Sequence, residues 1–215
     1  MKKVLSILFI AFSVTVFAQE ALTEGVVTMK QTMSSPNAEV NAQLAMMGEI
    51  TSTTYFKGDK SKSLTSSPMT GDVTAIIDMA EKKMLMLMDN PMMGKKYMEQ
   101  SLDMSEEDLS NINIEKTNET KNVLGYECTK YNVTTTNDGV EVKMEMYVTD
   151  KINVVSQSTA NLAGKIEGFP MFMTVSFNQM GMDMTQTVEV TEIKKEAVAD
   201  DTFDMTIPEG YEKGN

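Results

Sequence analysis

Apolar and polar residues alternate with a period of two along much of this sequence, and this pattern constrains the fold more than any other feature. It is clearest in Val140–Val148, where every second residue is Val or Met and the residues between them are mostly charged. Such alternation predicts a half-buried antiparallel strand. The β-branched run Tyr131–Thr136 and the turn-forming Asn137–Gly139 precede it. These segments together predict a β-hairpin.

Similar patterns recur along the chain and give about ten or eleven strands. The further predicted strands are Val26–Met33, Ile50–Lys57, Ser61–Ser66, Val73–Met79, Met84–Asp89, Lys96–Gln100, Met171–Phe177 and Met180–Val190. Short helices are predicted at Asn37–Met47, ended by Gly48, at Ser105–Ile112, which begins with an N-cap and acidic residues, and at Ser156–Leu162, ended by Gly164. We therefore expect a mainly β fold, built as one curved antiparallel sheet with two or three short helices. A closed barrel of the lipocalin type is the alternative.

The amino terminus predicts export. Met1–Ala18 has Lys2 and Lys3 at its start, an apolar stretch over Val4–Val16, and a small-residue cleavage site ending at Ala18. This is the pattern of a cleaved signal peptide. Residues 19–215 would then form a single β domain, without a stable membrane span, in the periplasm or secreted beyond the cell.

Composition excludes several classes of function. Without the predicted signal peptide, 17 Lys stand against 31 acidic residues, a net charge of −14, which disfavours nucleic acid and anionic membranes as partners. The chain has no His, Arg or Trp, so it has no Ser-His-Asp triad and no imidazole metal site. Nucleotide-binding and nucleophile motifs are also absent. We expect a non-enzymatic protein without a cofactor, and the sequence does not identify a protein partner.

Cys128 is the single cysteine of the chain and has no partner for an intramolecular disulfide. Because it lies in a strand-like run without a neighbouring His or Arg, it is expected to be a buried, unreactive thiol.

Methionine is unusually frequent, with 21 residues after the predicted cleavage site, many of them two positions apart. Residues two apart in a strand share one face, so several strands could present a continuous thioether surface. Met is flexible and polarizable, which suits a surface that adapts to apolar ligands. The predicted ligand-lining residues are Met84, Met86, Met88, Val142, Met144, Met146, Met171, Met173, Val175, Met182 and Met184. The alternatives are that these residues simply fill the core, or that they bind a soft metal such as Cu(I).

Several segments resemble a family of exported bacterial proteins classed as a domain of unknown function, DUF4412. They are Tyr55–Lys62, Ile76–Leu87, Lys95–Glu99, Gly125–Tyr131, Tyr147–Ile152 and Thr202–Lys213. That family is similar to the LolA-like periplasmic lipoprotein carriers. The similarity implies a half-open antiparallel β-barrel of about eleven strands, with an apolar concave face covered by short helices. The true carriers use an Arg, which this chain lacks.

The resemblance and the methionine pattern together predict a carrier or sensor of a hydrophobic small molecule or acyl chain in the cell envelope. The segments Asn37–Met47 and Ser105–Ile112 would form its lid. Two other functions remain open: an envelope interaction module with a packed core and no ligand, and a methionine-rich Cu(I) or Ag(I) chaperone.

Overall fold

The computed structural model describes residues 21–67, 71–103, 105, 109–137, 140–160, 162, 165–179 and 181–214. The predicted signal peptide, residues 1–18, lies outside this range. None of the helices within these residues is long and apolar enough to cross a membrane.

The chain folds mainly into β-structure, as predicted, and its strands form one twelve-stranded sheet that does not close. The strands are β1 Glu24–Ser34, β2 Ile50–Lys57, β3 Lys60–Ser67, β4 Gly71–Asp78, β5 Lys83–Asn90, β6 Gly94–Ser101, β7 Ile112–Val123, β8 Tyr126–Asn137, β9 Val140–Thr149, β10 Phe169–Gln179, β11 Met182–Lys194 and β12 Glu212–Lys213. Their order is β12-β6-β5-β4-β3-β2-β1-β11-β10-β9-β8-β7. The sheet is mixed because β12 pairs with β6 in parallel, whereas the other neighbours are antiparallel.

The expected strands all form, with small changes at their ends, and the predicted hairpin of Tyr131–Thr136 with Val140–Val148 is the pair β8–β9. Two further strands, β7 and β12, were not predicted. β7 lies at the sheet edge, with Val123 its one buried residue. Its sequence therefore lacks the apolar alternation of the other strands. β12 is two residues long and depends on β6 for its pairing.

Two α-helices lie wholly within the described residues, α1 at Ala38–Met47 and α2 at Gln157–Ala160. Both fall where helices were predicted, and α1 has Asn37 as its N-cap and Gly48 as its C-cap. The prediction of a helix at Ser105–Ile112 is wrong about where the helix ends. Leu109 and Ser110 are helical, and the Leu109 amide donates to the Ser105 carbonyl at 3.1 Å, but Ile112 already begins β7. Residues 106–108 lie outside the described range.

The cross-strand register defines two faces of the sheet. The pairing of neighbouring strands places five side chains on the same face, which we call the inner face: Met86, Ser63, Thr54, Val188 and Met144. The segment that contains α2 packs on this face: Ala160 contacts the cluster with Ile77 and Met84, and Leu162 contacts the cluster with Val133 and Met146.

The carboxyl-terminal segment covers part of the outer face. Val198 and Phe203 are buried against Val26 and Tyr55 of β1 and β2, and a 3₁₀ turn at Asp200–Phe203 positions the Phe203 ring. The segment then reaches the edge of the sheet, where it pairs with β6 as β12. The end of the chain therefore covers Val26 and Tyr55 on the outer face of β1 and β2.

Candidate functional site

A cleft of about 800 Å³ lies on the inner face, where the two ends of the open sheet approach each other. One wall comes from β5 and β6, and the opposite wall comes from β7 to β10. Strand order separates these walls by most of the sheet, so the cleft results from the curvature of the sheet. Its lining includes Met84, Met86, Leu102, Ile112, Val142, Met144, Ala160, Leu162, Met173 and Val175.

The register explains why these apolar side chains share one surface. On one wall, Met86 lies opposite Met98 across β5 and β6. On the other wall, Met144 lies opposite Val175, and Met146 lies opposite Met173. Side chains directly opposite each other in a ladder point to the same face. The apolar lining is thus a product of period-two alternation in strands that are distant in sequence.

The structure brings six of the eleven predicted ligand-lining residues to the cleft: Met84, Met86, Val142, Met144, Met173 and Val175. The other five lie elsewhere. Met88 is half-buried and lies two residues beyond Met86 in β5, opposite Val73 of β4 and Lys96 of β6. Met184 is buried, whereas Met182 is 38% exposed.

Met146 is on the inner face, as predicted, but it is fully buried in a cluster with Leu162 and Ile166. The connection between β9 and β10 passes over this position, so Met146 forms part of the core and does not line the cleft.

Met171 also lies away from the cleft. A β-bulge between Pro170 and Phe172 interrupts the regular pairing of β10 with β9. Met171 is fully buried in the cluster that contains Val27, Phe56 and Phe169, so it belongs to the core and does not line the cleft.

The segment that covers the cleft is α2, and it is held by reciprocal hydrogen bonds. The Thr159 amide donates to the Ser156 hydroxyl at 3.2 Å, and the Ser156 amide donates to the Thr159 hydroxyl at 3.0 Å. The Ser61 hydroxyl donates to the Val155 carbonyl at 2.9 Å and ties the segment to β3. Gln157, Ser158 and Ala160 line the cleft.

The lid predicted from α1 is not found at the cleft. α1 contacts β1, and its Leu44 lines a separate small cavity with Gln31, Met33 and Ile50. No residue of α1 lines the cleft within the part of the chain that the structure describes. From the second predicted lid segment, Asn111 and Ile112 reach the cleft, as the end of a turn and the start of β7.

Polar residues from both walls and from α2 also line the cleft, and the sequence analysis did not identify them. They are Gln100, Ser101, Asp103, Asn111, Thr135, Thr136, Gln157 and Ser158. Among the described residues, Asp103 is the one charged residue of this lining, and Lys82 donates to its carboxylate at 2.7 Å. That hydrogen bond, together with the charge of Asp103, raises the pKa of the Lys82 ammonium. The described lining is thus amphipathic.

The described residues offer no group of three or more His, Cys, Asp or Glu side chains that could hold a metal ion. Cys128 is buried, as predicted, and burial raises the pKa of its thiol to about 11. Its sulfur contacts the Tyr126 carbonyl at 3.5 Å. The thiol is therefore protonated and shielded at neutral pH.

Comparison with known proteins gives a family and a fold. The profile of the family described as a domain of unknown function (DUF4412) matches residues 23–211. No curated protein matches the sequence. Two solved structures of PNGF-II are similar: one at a TM-score of 0.50 over 88% of this chain and 32% of that chain, the other at 0.51 over 89% and 31%, both at 16% identity. The chain spans about a third of PNGF-II, and at this identity the similarity concerns the fold alone.

Proposed function

We propose that this chain, which belongs to the family described as a domain of unknown function (DUF4412), is a non-enzymatic binding protein for an acyl chain or another apolar ligand. The observation that carries the proposal is the cleft of about 800 Å³ with methionines on both walls. Pockets that bind small molecules typically have about 300–1,000 Å³ and a mostly apolar lining with a few polar groups. The volume of the cleft falls in this range, and its lining combines an apolar surface with nearly as many polar residues.

Apolar contact alone supplies enough free energy for such binding. Each buried methylene contributes about 0.8 kcal/mol, so a chain of about 12 to 16 methylenes gives roughly 10 to 13 kcal/mol before the cost of ordering. The flexible thioethers of Met86, Met144 and Met173 can adapt to chains of different length and unsaturation. Contact with an apolar chain therefore supplies most of the binding free energy in this proposal.

The cellular setting is also part of the proposal. The predicted signal peptide at residues 1–18 supports export, with the periplasm as the place of action. An open, curved sheet whose inner face is covered by a short helix supports a LolA-like architecture. Because the chain has no Arg, we propose that it holds a lipid without the lipoprotein-transfer mechanism of the true carriers.

The experiment compares two double variants of the mature protein. Met144→Glu with Met173→Glu places two carboxylates on the β9–β10 wall of the cleft. We expect this double variant to lose binding of a fluorescent fatty acid. Met92→Glu with Met93→Glu is the matched control, because these methionines are 92% and 71% exposed in the β5–β6 turn. The control should bind as the wild type does. Equal binding by both variants would refute the cleft as the site.

Native mass spectrometry of protein purified from its own envelope without detergent completes the test. A bound mass that matches a lipid supports the proposal. Clean protein without lipid, and without a thermal shift on ligand addition, favours an interaction module with a packed core. Copper or silver retained at near-integral stoichiometry favours the metal chaperone.

A further inference from the structure

A second cavity, of about 290 Å³, adjoins the cleft on the inner face and has a different chemistry. It lies on the other side of α2 from the β5–β6 wall, and Gln157, Ser158 and Met173 line both spaces. Hydroxyl and amide side chains form most of its lining: Gln31, Ser52, Thr54, Ser63, Thr65, Ser156, Gln157, Ser158 and Gln186. No charged side chain lines it among the described residues.

The hydroxyl groups of Ser52, Thr54, Ser63 and Thr65 come from inner-face positions of β2 and β3. Ser52 lies opposite Thr65, and Thr54 lies opposite Ser63. Ser52 and Thr54 are 2% and 1% exposed. Burying hydroxyls costs free energy unless they are hydrogen-bonded, and these hydroxyls have hydrogen-bond partners within the sheet.

The hydroxyls bond to each other in pairs and retain further hydrogen-bonding capacity. Thr54 and Ser63 hydroxyls are 2.8 Å apart, and the Thr65 hydroxyl donates to that of Ser52 at 3.0 Å. The Gln186 amide donates to the Gln31 amide oxygen at 2.9 Å. Each hydroxyl has one donor and two acceptor positions, and one bond per pair leaves most of them available to a guest.

From these observations we propose that the hydroxyl-lined cavity binds the uncharged, hydroxyl-bearing head group of an amphiphile whose acyl chain lies in the adjoining cleft. This inference rests on the proposed function. A monoacylglycerol has the required chemistry: an apolar chain joined to a small neutral head with donors and acceptors. A fatty-acid carboxylate does not fit this cavity, because a desolvated charge needs a cationic partner. Lys82, which donates to the cleft-lining Asp103, is already engaged by that carboxylate.

The test measures the affinity of the mature protein for two ligands with the same twelve-carbon chain, monolauroyl glycerol and laurate, by displacement of a fluorescent probe at pH 7. We expect monolauroyl glycerol to bind at least tenfold more tightly. Methyl laurate, which is uncharged but has no hydroxyl, should lose most of this advantage. Equal affinity for all three ligands would overturn the head-group site and leave the acyl-binding cleft intact. Absence of binding by any of them would refute both.

A variant locates the site. Thr54→Val with Ser63→Ala removes one hydroxyl pair together, so neither hydroxyl is left without its partner. We expect monolauroyl glycerol to lose about tenfold in affinity while laurate binding is unchanged. Thr53→Val is the matched control, because Thr53 is the adjacent residue of β2 on the outer face, opposite Leu64. If the double variant keeps the preference for monolauroyl glycerol, the cavity is not the head-group site. The ligand series on the wild type decides the question independently if the variant does not fold.

Discussion

Lys60 and Asp78 stand opposite each other across β3 and β4, and the Lys60 ammonium lies 3.1 Å from the Asp78 carboxylate. The same carboxylate accepts a hydrogen bond from the Glu81 amide at 3.1 Å and is 11% exposed. Burial by itself would raise the pKa of Asp78, but the Glu81 amide and Lys60 outweigh it and hold the pKa below its ordinary value. The pair holds the turn between β4 and β5. This turn precedes Met84 and Met86, the two β5 residues that line the cleft.

This lowered pKa predicts acid sensitivity. A carboxyl group whose pKa is lower in the folded state stabilises the fold above its unfolded pKa of about 3.9 and loses this effect as pH falls through the folded pKa. Asp78→Ala should lower the free energy of unfolding by about 2 kcal/mol at pH 7, because it removes a charged acceptor. Urea unfolding between pH 3 and 7 should show the difference from wild type shrinking below pH 4. Asp103→Ala, in an exposed pair, is the control, and an equal loss in both would contradict the role of burial.

Gly71 and Gly94 offer a matched pair of substitutions. Both have a positive φ, +80° and +76°, so alanine is strained at either position. A Cβ at Gly71 would also overlap the Asp89 carbonyl, whereas at Gly94 nothing lies within 4 Å. We expect Gly94→Ala to cost about 1 kcal/mol and Gly71→Ala about 1–3 kcal/mol more. Thermal and urea unfolding would measure the loss of stability in both variants. An equal loss would show that the backbone of β5 at Asp89 can move away from a Cβ at position 71.

Cys128 should be inert in the folded protein. Its thiol is fully buried, and burial raises its pKa to about 11, so almost no thiolate is present at pH 8. We expect no reaction with a thiol-specific disulfide reagent over hours, and reaction of one thiol per chain after unfolding. Met92→Cys, made in a Cys128→Ala background, provides an exposed control that should react within minutes. Rapid labelling of native Cys128 would indicate that the cluster around Phe169 opens readily.

Period-two alternation predicted most of this fold, because burial of one strand face requires it. It succeeded for β9, where Val142, Met144 and Met146 share the inner face. It did not predict the edge strand β7, where little is buried. Bulges and edge strands are determined by tertiary pairing, which local patterns do not encode.

The cleft could be predicted only in part. The sequence indicated that Met86 and Met144 each belong to an apolar face, but their approach depends on the curvature of a sheet in which they lie many strands apart. A signal for the hydroxyl-lined cavity was present: Ser52 and Thr54, then Ser61, Ser63 and Thr65, occur two apart in consecutive predicted strands. In β2, however, Thr51 and Thr53 carry hydroxyls on the other face as well, so the register of the sheet was needed to assign this polar patch to the inner face.

The last prediction concerns α2, which separates the two cavities. Ser156→Ala removes the hydroxyl that accepts from the Thr159 amide, so the fold should lose about 1 kcal/mol, the usual cost of losing such a cap. Because Gln157 and Ser158 line both cavities, a loosened α2 should also release ligand faster. Gly94→Ala is the control: we expect a similar loss of stability with no contact to α2. Stopped-flow displacement of a bound fluorescent fatty acid should show faster dissociation from Ser156→Ala alone. If both variants release ligand at the wild-type rate, α2 does not gate the cleft, and ligand exchange must occur through the open side between β6 and β7.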